Sequence, residues 1–190
     1  MKKVIILAIA FVSAATAAKA QTATANVSVT ISDLKTITIN TGAAPSFSLS
    51  SVADYTAVAG ATGLASSVPT NITVVSRGGY KVKATLSADL TNSTASNGLG
   101  SIPGTKLGIS VSGAAAQSGE TAPTVMTAST AFAAGGSTIL DIIKTVTAGN
   151  AGGTLGTAFN VNYKLANFPQ VVDLATGSFT ANIVYTIEAN

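Results

Sequence analysis

Apolar and polar residues alternate along two segments at opposite ends of this chain, residues 22–32 and 178–188. Successive side chains of a β-strand point to opposite faces, so each segment predicts a strand with one apolar face directed at a core. The apolar positions of the first segment are Ala23, Ala25, Val27, Val29 and Ile31. Those of the second segment are Phe179, Ala181, Ile183, Tyr185 and Ile187.

Alternation or β-branched runs predict further strands between these ends, at residues 35–40, 46–50, 71–76, 80–86, 107–112, 124–127 and 158–165. Arg77-Gly78-Gly79 lies between two of them and predicts a turn, which makes residues 71–86 the strongest hairpin signal in the chain. Residues 138–147 fit either a short helix or a strand. Their β-branched content and Gly-rich flanks favour the strand.

Loops rich in Gly, Ser, Thr, Ala and Asn separate the predicted strands, and no repeat of fixed period is visible. Short strands bounded by turn residues are typical of an antiparallel sandwich. The sequence therefore predicts an all-β fold, a Greek-key β-sandwich in one domain over residues 34–190.

Residues 1–20 contain the three parts of a secretory signal in the usual order. Lys2 and Lys3 precede an apolar run over residues 4–12, and Ala18-Lys19-Ala20 forms a small-x-small cleavage site. The apolar run is shorter than the roughly 20 residues that a membrane-spanning helix needs. We therefore expect this segment to be removed, and the protein to be secreted or held at the cell surface without spanning the membrane.

The basic residues of the signal account for the net charge of +3, and seven basic and seven acidic residues remain beyond it. A neutral chain has nothing to attract nucleic acid electrostatically. Near-zero net charge also removes a barrier to self-association. The charge pattern therefore excludes nucleic acid as a partner and is compatible with copies of the chain itself.

Histidine and cysteine are absent from the sequence. Their absence excludes disulfides, His-dependent triads, cysteine nucleophiles and most zinc sites. The acidic residues are well separated, so a paired-carboxylate hydrolase would need the fold to bring two of them together. We predict that the chain is not an enzyme and has no cofactor and no catalytic, cofactor-binding or metal-binding residues.

Removal of the signal would leave residues 21–33 as a strand with a free start. The edge of such a strand carries backbone donors and acceptors that need partners. It can complete the sheet of its own chain, or it can add in trans to the sheet of another copy. The alternating pattern leaves both arrangements open.

The layout resembles that of cysteine-free fimbrial or pilus major subunits of the donor-strand type. The resemblance rests on the pattern of the whole chain after the signal and on the sequences TATANVSVTIS and GSFTANIVYTIEAN at its ends. The chain is also similar to uncharacterised secreted β-sandwich proteins of Bacteroidetes, through VTISDLKTITIN, ADYTAVAG and the same C-terminal strand. The resemblance implies an incomplete immunoglobulin-like sandwich in which Ala23, Ala25, Val27, Val29 and Ile31 are donated side chains.

The sequence thus predicts a non-enzymatic structural protein, a subunit of a bacterial surface filament that polymerises by β-strand donation. The expected partners are copies of itself, together with a periplasmic chaperone or a surface anchor protein. The alternative is a self-contained surface adhesin or matrix domain that binds a glycan or a protein through its loops.

Overall fold

The computed structural model describes residues 28–30, 34–115, 122–136, 139–145 and 156–190. A boundary between two structural units falls after Ser32, and the second unit runs from Asp33 to Asn190. The predicted signal peptide lies outside the described residues. So do four of the five candidate donor residues, which are Ala23, Ala25, Val27 and Ile31.

The described residues form twelve β-strands, one α-helix and three short 3-10 segments. The strands are β1 (Lys35–Thr41), β2 (Leu64–Ala65), β3 (Thr70–Ser76), β4 (Tyr80–Leu86), β5 (Leu90–Thr91), β6 (Ser101–Ile102), β7 (Leu107–Ser112), β8 (Thr124–Val125), β9 (Thr130–Ala131), β10 (Ile139–Thr145), β11 (Thr157–Leu165) and β12 (Ile183–Ala189). The helix is α1 (Val52–Ala59), and the 3-10 segments are Gly104–Lys106, Ala134–Gly136 and Pro169–Asp173.

Two antiparallel sheets pack face to face in the second unit. Sheet A has the strand order β1-β3-β11-β7-β9, with β2 also beside β11, and sheet B has the order β12-β4-β10-β8. Strands β5 and β6 form a separate pair. The largest fully buried side chains come from both sheets and include Ile72, Val82, Ile109, Ile142, Phe159 and Val161. The predicted all-β antiparallel sandwich is therefore confirmed.

The connections cross between the sheets repeatedly. From β3 onward, each strand of sheet A or sheet B is followed along the chain by a strand of the other large sheet, with the small β5–β6 pair intervening once. Crossed connections of this kind distinguish Greek-key and jelly-roll sandwiches from simple up-and-down meanders.

The predicted hairpin over residues 71–86 is wrong. Both strands form, but β3 belongs to sheet A and β4 to sheet B, so the chain arches from one sheet to the other. Both strands direct alternate side chains into the shared core, and Ser76 and Tyr80 at the two ends of the arch are buried. The Ser76 hydroxyl closes the arch by donating to Gly78 O at 2.9 Å. Alternation reports the buried face of a strand, and that face looks the same in a hairpin and in an arch.

The strand predicted at residues 46–50 is also wrong, although the alternation there has a physical meaning. Phe47 and Leu49 are half-buried against the core while the serines between them are exposed, yet no strand is assigned. The segment is held beside the connection into β3, where Ser67 N donates to Ser46 O at 2.9 Å. A single backbone bond does not make a ladder.

The ambiguous segment forms β10 over Ile139–Thr145, which confirms the preference for a strand. The predicted strand at 124–127 is shorter, at Thr124–Val125, and the last strand begins at Ile183 rather than at 178. This late start has a local cause, because Thr180 forms an isolated antiparallel bridge with Thr91 of β5 instead of joining β4.

Helix α1 has no counterpart among the predicted elements. Its N-terminus is fixed by a capping box in which Ser51 and Asp54 satisfy each other's backbone N–H groups. The Ser51-x-x-Asp54 spacing is the sequence signal for this helix. Both residues belong to a stretch that also reads as a polar loop.

Candidate assembly edge

Strand β12 forms one edge of sheet B, and within the described part of the chain it pairs with β4 alone. The pairing is continuous, from Ile183 opposite Leu86 to Ala189 opposite Tyr80. The apolar residues predicted for the core face of this segment are all half-buried and pack against the core: Phe179, Ala181, Ile183, Tyr185 and Ile187. Two of them, Phe179 and Ala181, precede the strand itself.

Strand β1 forms an edge of sheet A, and its pairing in the described residues is with β3. The ladder begins one residue before the strand, since Arg77 N donates to Leu34 O at 3.1 Å. Strands β1 and β12 are neighbours in space, but no strand pairing joins them in the described ranges. We term the line where these two edges meet the β1–β12 seam.

The seam leaves inward-facing apolar residues incompletely covered. Ile39 of β1 is register partner to Ile72, but Ile39 is 42% exposed whereas Ile72 is fully buried. On the other sheet, Ile187 is half-buried although its partner Val82 is fully buried. Residues on one face of neighbouring strands share an environment, so this difference locates an opening at the edges of both sheets.

The opposite side of the sandwich is closed by the backbone. Met126, just after β8, donates its N–H to Ile142 O of sheet B at 3.0 Å. The same residue accepts from Val111 N of sheet A at 2.6 Å. One peptide segment thus bridges the two sheets there, whereas packing and side chains hold them together at the β1–β12 seam.

A chain of hydroxyl groups crosses the core close to the seam. Tyr163 of β11 donates to Thr70 Oγ1 at 2.6 Å, and Thr70 in turn donates to Gly42 O at 2.6 Å. The hydroxyl of Tyr185 in β12 is bonded to that of Tyr163. Because the Tyr163 proton is already directed at Thr70, Tyr185 is the donor in this pair. The chain links β12 of sheet B to the residue that follows β1 in sheet A.

Burial and hydrogen bonding set the ionisation of these edge residues. Burial raises the pKa of both Tyr163 and Tyr185, and proximity to Tyr163 adds to the effect on Tyr185. On the outer face of sheet B, Glu188 of β12 lies 2.7 Å from Lys83 and 3.7 Å from Lys81, both on β4. The hydrogen bond from Lys83 is the main cause of the lowered pKa of Glu188. The pairing is solvent-exposed and adds little to stability at the edge.

One of the five candidate donor residues lies in the described part of the chain. Val29 is 75% exposed, and the stretch 28–30 has no assigned secondary structure. The remaining four lie outside the described residues, so their contacts with the seam stay a prediction.

The acidic residues that the structure describes at close range have structural roles. Asp54 belongs to the α1 capping box, and its pKa is lowered chiefly by the backbone N–H of Ser50. Asp89 accepts from Gly104 N at 2.7 Å and from Gly135 N at 3.0 Å, joining two loops. In the described ranges no three acidic residues come together as a metal site. Searching those ranges also found no helix with the length and apolar character needed to cross a membrane.

The chain matches no protein-family model, no curated protein and no solved structure. Its function is therefore argued from the seam itself. Sequence reasoning had missed the sheet A side of this site, Ile37, Ile39 and the half-buried Phe47 and Leu49. A run of β-branched residues such as KTITIN predicts a strand but does not distinguish an edge strand from a central one.

Proposed function

We propose that this chain is a secreted, non-enzymatic structural protein that assembles into a surface filament. In this assembly, residues 22–32 of one copy add as a strand to the β1–β12 seam of the next copy. The observation that carries the proposal is the half-exposed inward face of the seam. An added strand with alternating apolar side chains would cover Ile39 and Ile187, and the edges of β1 and β12 offer backbone groups for its ladder.

The connection between residues 22–32 and β1 supports donation to another copy. The β1–β3 ladder already includes Leu34, so a strand that folded back along β1 would have to turn within Ser32-Asp33. Two-residue hairpin loops favour Asn-Gly, Asp-Gly or a leading glycine, because they need positive φ angles. Ser-Asp does not meet this requirement, whereas an extended segment that leaves its own copy needs no turn.

The proposal implies further partners. An uncovered apolar edge promotes aggregation, so export would need a periplasmic chaperone that covers the seam until assembly. A filament at the cell surface also needs an anchor protein at its base. In the competing arrangement, residues 22–32 fill the seam of their own copy, and the protein is a self-contained adhesin or matrix domain.

Engineered disulfides distinguish the two arrangements, because the chain has no cysteine of its own. One preparation carries Val29→Cys, and a second carries Cys in place of Ile183, Tyr185 or Ile187. After mixing and oxidation, we expect a disulfide-linked dimer of the two preparations on a non-reducing gel. Thr30→Cys is the matched control, because its side chain points to the opposite face of the strand and should give little dimer.

A variant with both cysteines in one chain tests the competing arrangement. If it closes an intramolecular disulfide at high dilution and the mixed preparations form no dimer, the filament proposal is wrong. Electron microscopy gives an independent measurement. The chain from Gln21 onward should form fibres, Val29→Asp should abolish them, and Thr30→Asp should leave them intact.

A further inference from the structure

A shallow cavity of about 100 Å³ lies on sheet A where β7, β9 and β11 meet, on the side of the sheet away from β1. Its floor consists of small residues, Gly108, Ala131 and Ala166, and its rim includes Lys106, Lys164 and Ser129. Such a volume has room for several water molecules or for one small oxyanion.

The strand register explains how the two lysines come to flank this floor. Gly108 of β7 lies opposite Lys164 of β11, and Ala166 N donates to Lys106 O at 3.0 Å, so Ala166 lies opposite Lys106. Lys106 and Lys164 therefore occupy diagonal positions on one face of the pair, and diagonal positions are within reach of long side chains. The small residues between them leave the space open.

Packing holds the cavity and one of its lysines in place. The stem of Lys164 lies against Gly63, where a Cβ atom would come within 2.6 Å of Lys164 Cγ. At Gly108, a Cβ atom would collide with Ser129 Oγ. Larger residues at either glycine would therefore displace part of the rim.

The charges around the cavity are all positive. No Asp or Glu lines it, and among the described residues neither Lys106 nor Lys164 forms a salt bridge. Lys81 and Lys83, by contrast, share Glu188. Like charges at neighbouring sheet positions destabilise the pair, and an anion between them would replace repulsion with two charge-assisted hydrogen bonds.

We infer that this cavity binds a small oxyanion, either a free sulfate or phosphate ion or the carboxylate of an acidic sugar. The two ammonium groups supply the charge, and the Ser129 hydroxyl can donate a further hydrogen bond. The inference is independent of filament assembly, because the cavity and the β1–β12 seam use different strands of sheet A.

The test is a titration of the full chain, followed by NMR at the amides of Gly108 and Ala166. Sodium sulfate, sodium phosphate and sodium glucuronate are each compared with sodium chloride at equal ionic strength. We expect saturable shifts with at least one oxyanion, and the preferred one identifies the source. Lys106→Gln and Lys164→Gln should each weaken binding by about tenfold or more.

Lys144→Gln is the matched control, because Lys144 is an exposed lysine on sheet B and should leave the affinity unchanged. Ala131→Glu places a carboxylate at the exposed edge of the cavity and should abolish the saturable shifts. Shifts that do not saturate, or that respond equally to all three lysine variants, would overturn the inference, since they would report ionic strength alone.

Discussion

The hydroxyl of Tyr185 in sheet B donates to the hydroxyl of Tyr163 in sheet A, so a hydrogen bond joins the two sheets through the core. Tyr163 passes the interaction on to Thr70, which donates to the carbonyl of Gly42. Each hydroxyl in this series except the first acts as both acceptor and donor. Removing a middle member therefore leaves two buried partners unsatisfied, whereas removing the first leaves none.

This asymmetry predicts different costs for two similar substitutions. Tyr163→Phe should lower the free energy of unfolding by about 2–3 kcal/mol, and Tyr185→Phe by about 1 kcal/mol, because an unsatisfied buried group costs more than a lost hydrogen bond. Urea denaturation measures both values. Tyr55→Phe, on the exposed surface of α1, is the control and should change stability by less than about 0.5 kcal/mol. Equal costs at positions 163 and 185 would contradict the assigned direction of the chain.

Alkaline pH should destabilise the fold through the same two tyrosines. Burial raises their pKa in the folded chain, while in the unfolded chain they ionise near the ordinary value of 10.0. As the pH rises above about 10, the unfolded state loses protons that the folded state retains, and stability falls. The urea midpoint should therefore drop between about pH 9 and pH 11. Tyr185→Phe should show a smaller drop, and an identical pH profile would argue against the buried hydroxyl.

Three glycines separate backbone strain from steric collision. Gly42 has φ of 69° and a Cβ atom there would collide with Pro69 O, whereas Gly135 has φ of 73° with open space around it. Gly42→Ala should cost more than about 2 kcal/mol, and Gly135→Ala about 1 kcal/mol. Gly78→Ala, with neither feature, should stay within about 0.5 kcal/mol. Thermal unfolding of the three variants gives the ranking, and a harmless Gly42→Ala would show that the end of β1 can shift.

An amide series on the outer face of sheet A should fix the register of three strands. Asn40 of β1 donates to Asn71 Oδ1 of β3 at 2.7 Å, and Asn71 donates to Asn160 Oδ1 of β11 at 2.8 Å. Asn71→Ala should cost about 1–2 kcal/mol, because it removes both bonds. Asn162→Ala removes one bond, to Ser112, and should cost about half as much. Hydrogen exchange of the β1 amides should accelerate in the first variant and not in the second.

The sequence predicted the class of this fold because period-two alternation survives wherever one strand face is buried. The strands at 35–40, 71–76, 80–86, 107–112 and 158–165 all form within one residue of the predicted bounds. Alternation carries no information on pairing partners, however, so the arch at Arg77-Gly78-Gly79 was taken for a hairpin. It also occurs without pairing, as residues 46–50 demonstrate.

The seam was only half predictable. The inward face of 179–187 follows from alternation, and all five of its apolar residues do pack against the core. That this face stays half-exposed depends on where β12 and β1 lie relative to each other. Their adjacency comes from two sheets stacking, and no local sequence pattern encodes it.

The crossed connections have a consequence for the timing of folding. Strand β4 lies in the middle of sheet B between β10 and β12, and both of these neighbours lie at least 50 residues later in the chain. Sheets whose partners are distant in sequence fold slowly, because a long loop must close before any pairing forms. Sheet B therefore cannot form until nearly the whole chain has been synthesised. A polypeptide that stays unfolded until then can pass through a translocation channel as an extended chain.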